Sequence, residues 1–253
     1  DGREIIAYQP IDRQTVESLP PRVTPPPLPK DIPSTDELYL TGLRIEQIHN
    51  PSVDPAPYYE EVVRRDPGDS RANTQLAIHA LRRGRYAEAE QRGRTALTRV
   101  TAEYTRPEDA AAHYYLGLAL AGQHRFDEAY DQFYRASWDA AFHTAAILQV
   151  AGISCRRGEF ALALEQVRDA LRTGAWNTKA LGLEAALLRR LGRTKEAAVV
   201  AARALEIDPL DFLAANERDL ARTRPARRAS SRSDRRSLEV RMRDEVESYL
   251  ELA

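Results

Sequence analysis

The chain has 253 residues, 43% of them hydrophobic, and 37 Lys+Arg against 38 Asp+Glu give a formal net charge of -1. That length holds one large domain or two small ones. The near-neutral balance excludes whole-surface attraction to nucleic acid or to an anionic membrane, and the lone cysteine, Cys155, excludes an internal disulfide. No apolar run approaches the roughly 18–20 residues that span a bilayer, and the start carries no secretory pattern. A cytoplasmic location with no membrane partner is therefore expected.

Residues 1–10, DGREIIAYQP, read as a strand: Asp1-Gly2 is a turn dipeptide, Ile5 to Tyr8 suit a strand, and Pro10 stops it. One strand cannot stand alone. It is expected to be the remnant of an upstream β-rich domain, which fits a chain that does not start with Met and reads as a fragment of a longer protein. Residues 11–33 are a Pro-rich linker; eight of the fifteen prolines fall within 10–33, which favours extended polyproline geometry and a semi-rigid spacer. Ser34-Thr35-Asp36-Glu37 reads as a capping box and opens a helical array over 34–221.

Internal repetition dominates that array. The phrase LRRGRYAEAE around Gly84 recurs as AGQHRFDEAY around His124, CRRGEFALAL around Gly158 and RRLGRTKEAA around Gly192. The last two intervals are 34 residues and the first is 40, so about six residues are inserted between Val100 and Asp109. Small residues keep fixed offsets: Ala77, Ala89 and Ala96; Gly117, Ala129 and Ala136; Ala151, Ala163 and Ala170; Ala185, Ala197 and Ala204. Antiparallel helices approach closely only where side chains are small. The expected units are about 36–69, 70–109, 110–143, 144–177 and 178–211, followed by a capping helix. Residues 222–235 read as an Arg-rich linker, and 236–253 as a helix opening a further repeat.

The 34-residue period, the Leu116-Gly117 pair, the aromatic after each turn (Tyr86, Phe126, Phe160) and the closing Asp66-Pro67 and Asp208-Pro209 resemble the tetratricopeptide repeat family. The resemblance covers about three quarters of the chain. It implies an all-α fold: a right-handed superhelix of helical hairpins, preceded here by the short strand and the linker. The first unit is degenerate, with Tyr39 at the family's Trp position and Pro55 where a small residue belongs. The order of ELYLTGL, DPGD, RRGRYAEAE, DEAYDQFYRASWDAAF and DPLDFLAANE is also similar to the C-terminal repeat region of a family of large bacterial proteins. Those carry an N-terminal β-rich domain of unknown function, and the resemblance implies a carbohydrate-related role for that part.

In the tetratricopeptide family the first helix of each repeat lines a concave groove. The family's offsets imply Arg71, Thr74, Ile78, Leu81 and Arg82 from one repeat, then Tyr114, Leu118 and Ala121. Leu148, Gly152, Cys155 and Arg156 follow, and Lys179, Gly182, Ala186, Arg189 and Arg190 complete the face. It has an apolar floor with Arg82, Arg156, Arg157, Arg189 and Arg190 at one rim. An exposed apolar groove is a binding signal, suited to an apolar segment with acidic flanks. The family's carboxylate-clamp positions carry Thr74, Ile78, Tyr114 and Leu118, which argues against that role. The groove could equally be filled by the chain's own linker or upstream domain.

No catalytic motif is present: no GxSxG, Walker loop, HExxH or CxxC. None of the five histidines are spaced i, i+4. His113 is expected between helices, and His124, standing where other units have the turn glycine, is expected to be exposed. Arg156 and Arg157 could lower the thiol pKa of Cys155, but no base is placed for a nucleophile. Of YDQFYRASWDAAF, helical spacing puts Tyr130, Phe133 and Tyr134 on one side, as inter-repeat core, and Trp138 at the hairpin corner, as a local staple or a contact for a neighbouring domain. No cofactor, no metal and no catalytic residue is expected, so this region is not an enzyme; a longer parent protein could be one. The expected function is a scaffold for protein–protein or domain–domain contact, with homo-oligomers open. The alternative is an accessory or dimerising module of a larger bacterial carbohydrate-active enzyme. The Arg-rich segment 222–236 leaves nucleic acid as a minor alternative partner.

Overall fold

A computed structural model describes residues 24–48, 52–103, 107 and 109–222. The strand expected over 1–10, the Arg-rich linker and the helix expected over 236–253 lie outside the described residues. Within them, a 3-10 turn at Pro29–Asp31 precedes eleven α-helices and there is no strand. The helices are α1 (Thr35–Gln47), α2 (Ala56–Arg65), α3 (Ser70–Arg82), α4 (Tyr86–Val100), α5 (Ala111–Gly122), α6 (Phe126–Ala136), α7 (His143–Arg156), α8 (Phe160–Thr173), α9 (Thr178–Arg190), α10 (Thr194–Ile207) and α11 (Phe212–Arg222). Each odd-numbered helix to α9 pairs with the next even one as an antiparallel hairpin, and the hairpins stack into a right-handed superhelix.

Local chemistry sets the helix starts. The side chains of Ser34, Asp69 and Asn177 accept hydrogen bonds from the amides of Glu37, Ala72 and Ala180, at 3.3, 2.9 and 3.0 Å. Each cap satisfies an amide the helix cannot pair itself. The hairpin turns share one geometry. At Gly84, His124, Gly158 and Gly192 φ is positive, between 61° and 80°. The following amide donates back to Ala80, Leu120, Ser154 or Leu188, closing a Schellman motif each time. His124 therefore occupies a left-handed position that suits glycine, and it is exposed, as its position implies.

The small-residue offsets are where hairpins close. All eleven alanines of the set are 0% exposed, and Gly117 is buried. A Cβ on Gly117 would sit 2.6 Å from the Phe133 ring, itself fully buried. Phe133 meets the core expectation and Tyr130 is partly buried, but Tyr134 is 51% exposed and stacks edge-on against Trp138 at 6.0 Å. Tyr134 is thus a surface partner of the corner tryptophan rather than core.

The first hairpin departs from the others in its turn. Eight residues separate α1 from α2, where the other hairpins use three. The extra length lets α1 slide one position, so Gly42, not residue 43, abuts the Tyr59 ring at 2.9 Å from its would-be Cβ. Pro55 stands at the start of α2, and Ala56 takes the buried place. The described part of the linker does not enter the groove. Ile32 is 2% exposed in the core of this hairpin. Tyr58 donates to the Pro27 carbonyl at 2.9 Å, and Arg65 donates to the Ile32 and Pro33 carbonyls at 2.7 and 2.8 Å. Residues 27–33 thus run along α2.

Candidate binding groove

The odd-numbered helices form the concave side. Near its N-terminal end lies a cavity of about 560 Å³ between α1, α3 and α5. α1 contributes Tyr39; α3 contributes Ser70, Arg71, Thr74, Gln75 and Ile78; α5 contributes Ala111, Ala112 and Tyr115. Val100, Pro107 and Asp109, from the end of α4 and the inserted segment, and Phe142, before α7, complete the lining. The six-residue insertion thus supplies part of the cavity rim.

Three of the expected groove residues meet here: Arg71, Thr74 and Ile78. Arg71 donates to Asp36 at 2.7 Å and to Asp69 at 3.1 Å, and its guanidinium lies 4.9 Å from the centre of the Tyr39 ring. Thr74 is 8% exposed and its hydroxyl donates to the Ser70 carbonyl, so it shapes the wall without a free donor. Tyr114 falls one position short of the lining. It packs against Phe133 and Phe142 at 5.8 and 5.3 Å, while its neighbour Tyr115 faces the cavity. Burial pushes the Tyr115 phenol above its usual range; Arg82 works against that, Asp109 and Glu46 with it. It stays a neutral hydroxyl near neutral pH.

Leu118 and Leu148 are partly buried against the cores of neighbouring hairpins. Gly152 has nothing within 4 Å of a would-be Cβ, so the groove is open at α7. At α9 it is closed. A Cβ on Gly182 would meet Leu213 of α11 at 2.8 Å, and Arg189 donates twice to Glu217 of α11, at 2.5 and 3.0 Å. Arg189 therefore fastens the last helix rather than waiting at a rim.

The other rim arginines are engaged as well. Arg82 donates to Glu46 at 2.7 Å, beside His79, whose Nε2 lies 3.1 Å from the same carboxylate. Arg157 pairs with Asp127 at 2.5 Å and lies over Tyr130. Arg156 lies over Phe126 at 4.8 Å, and Arg190 over Phe160 at 5.0 Å. In both cases the last residue of an odd helix covers the turn aromatic of the preceding repeat, 30 residues earlier in the chain. Gly122 holds the equivalent place opposite Tyr86, and the Tyr86 ring fills the space a side chain would need. This inter-repeat clasp was visible in the sequence only as a pairing of two periodic positions.

The remaining titratable candidates have structural roles. His113 is 4% exposed and its Nδ1 lies 2.8 Å from Gln132 Oε1; burial lowers its pKa. Burial raises the Cys155 thiol pKa, so the neighbouring arginines do not activate it. Among the described residues no group of three or more His, Cys, Asp or Glu is placed to hold a metal. No helix among them is long and apolar enough to cross a membrane.

The tetratricopeptide repeat model matches residues 56–92 and 91–141. Solved structures share the fold at low identity. PilF of Pseudomonas aeruginosa aligns with a TM-score of 0.67 and 19% identity, over 86% of this chain and 94% of its own. YrrB, described as a TPR protein with an unusual peptide-binding site, aligns at 0.57 and 17% identity, over 74% of this chain and 92% of its own. MamA of Desulfovibrio magneticus aligns at 0.58 and 15% identity, over 70% and 97%. The chain therefore carries a tetratricopeptide repeat match over α2 to α6 and shares the superhelical fold of these proteins.

Proposed function

We propose that the chain is a non-catalytic scaffold that holds a segment of a partner protein in its concave groove, centred on the cavity between α1, α3 and α5. The observation that carries this is the cavity's mixture of aromatic walls and unspent polar groups. Tyr39, Tyr115, Phe142 and Ile78 give apolar surface. The Gln75 amide and the Tyr115 hydroxyl have no hydrogen-bond partner among the described residues. A peptide brings main-chain groups that need such partners and side chains that fill such a pocket. The groove continues past Tyr114 and Leu118 to Leu148, Gly152 and Arg156, and on to α9, where Arg189 is tied to Glu217 of α11 and Arg190 lies on the same helix. The peptide-binding site named for YrrB supports the reading by analogy of fold. A single unpaired cysteine suits a reducing compartment, so we place this binding in the cytoplasm.

The test is retention of partners from the host's own extract on immobilised protein. Ile78→Glu puts a charge into the cavity and should abolish specific retention while helicity is kept. Val199→Glu, on the 69% exposed side chain of α10, should leave retention intact. Loss with Val199→Glu and not with Ile78→Glu would move the binding surface to the convex side and overturn the proposal.

A further inference from the structure

We propose that the cavity between α1, α3 and α5 selects a cationic side chain, arginine or lysine, on the bound peptide segment. This rests on the groove reading above and names the chemistry it recognises.

The molecule repeatedly holds arginine between a ring and a carboxylate. Arg71 lies over Tyr39 with Asp36 and Asp69 on its donors. Arg157 lies over Tyr130 with Asp127 on its donors. The described lining of the cavity holds a further set of rings and a carboxylate. The rings of Tyr115 and Phe142 stand 6.3 Å apart at 82°, and both face the cavity together with Asp109. Among the described residues no cation lies over either ring and no basic side chain pairs with Asp109. The Asp109 carboxylate accepts one hydrogen bond, from the amide of Ala111 at 2.7 Å.

The charge count points the same way. Asp36, Asp69 and Asp109 stand at or beside the cavity, and among its described lining residues Arg71 is the one base. Asp36 and Asp69 are spent on Arg71, so Asp109 is the charged group left unpaired among the described lining residues. The apolar walls of Ile78, Val100, Pro107 and Ala112 strengthen that field by excluding water. A cation over an aromatic face gains about 0.5–2 kcal/mol according to its desolvation. An acidic side chain would instead meet like charge. Of the rim arginines that would have welcomed acidic flanks, Arg82, Arg157 and Arg189 are already paired with carboxylates within the chain.

The experiment is fluorescence anisotropy with three labelled nine-residue peptides of repeated Ala-Pro-X, in which X is arginine, glutamate or leucine. The arginine peptide should bind about tenfold tighter than either of the others, and more weakly as salt is raised. Asp109→Asn and Tyr115→Leu should each weaken it about fivefold or more, with unchanged circular dichroism. Glu165→Gln, at an exposed position on α8, should have little effect. If the glutamate or leucine peptide binds as tightly and Ile78→Glu abolishes that binding, charge selection is overturned while the groove reading stands. If the arginine peptide responds to Glu165→Gln as strongly as to Asp109→Asn, its attraction is diffuse and the proposal fails. If none of the peptides binds, cation selection is again overturned, and the extract-retention experiment decides the groove reading separately.

Discussion

The two ends of this superhelix are built from the same hairpin but finish their concave faces differently. At the C-terminal end α11 lies against α9, covering Gly182 with Leu213 and tying Arg189 to Glu217. At the N-terminal end α1, α3 and α5 border a cavity that the inserted segment helps to line. The alanines that close each hairpin are equally buried at both ends. The repeat therefore supplies the stability, and the proposed binding lies where the inserted segment adds to the odd-numbered face. An appended helix and an inserted loop, neither part of the repeat, decide which end is which.

The largest expected effect comes from undoing the closed end. Glu217 is 96% buried as a side chain and receives two charged hydrogen bonds from Arg189. Glu217→Ala removes them and should cost about 2–3 kcal/mol, since hydrogen bonds to charged groups contribute roughly 1.5–3 kcal/mol. Hydrogen exchange should rise first in α11 and α9, with the amides of α3 unchanged. Equal acceleration in α3 would mean that the two ends are not separable in this way.

A smaller effect separates the ends by pH. Glu90 of α4 receives hydrogen bonds from Gln123 and Arg125 of the next repeat and from Arg94. Burial opposes its charge, but the three donors together outweigh that and hold its carboxyl down to about 2. Its folded value lies below its unfolded one. The stabilisation is therefore complete above about pH 4.5 and is lost as pH falls toward 2. Unfolding in urea should show stability dropping across that window, less steeply in Glu90→Gln. The same slope in both proteins would remove Glu90 as the cause. The smallest effect is at a turn: His124→Gly should stabilise by about 0.5–1 kcal/mol, because His124 sits at φ 61°. A fall in melting temperature would show that the His124 ring, 5.8 Å from Phe126, contributes more than the strain costs.

The fold was legible because it rests on periodic small residues. Ala129 or Ala163 has to be small wherever two helices cross, so the period prints itself on the sequence. The cavity was only partly legible. Arg71, Thr74 and Ile78 follow from the family's offsets, but Tyr115 lies one residue beyond the position chosen, and Phe142 and Asp109 belong to connections with no repeat offset. The one signal for Asp109 was the 40-residue interval that marked the insertion. The state of the arginines was not legible at all. Arg156 over Phe126 and Arg189 on Glu217 are pairings between repeats, and the free rim disappears only when both partners are placed.

The measurement that tests the account most directly is photo-crosslinking with a benzophenone amino acid placed at Gln75 in the cavity, at Gly152 farther along the groove, or at Val199 on the convex side. The account predicts one partner captured strongly from Gln75, weakly from Gly152 and not from Val199. Capture from Val199 with none from Gln75 would contradict it.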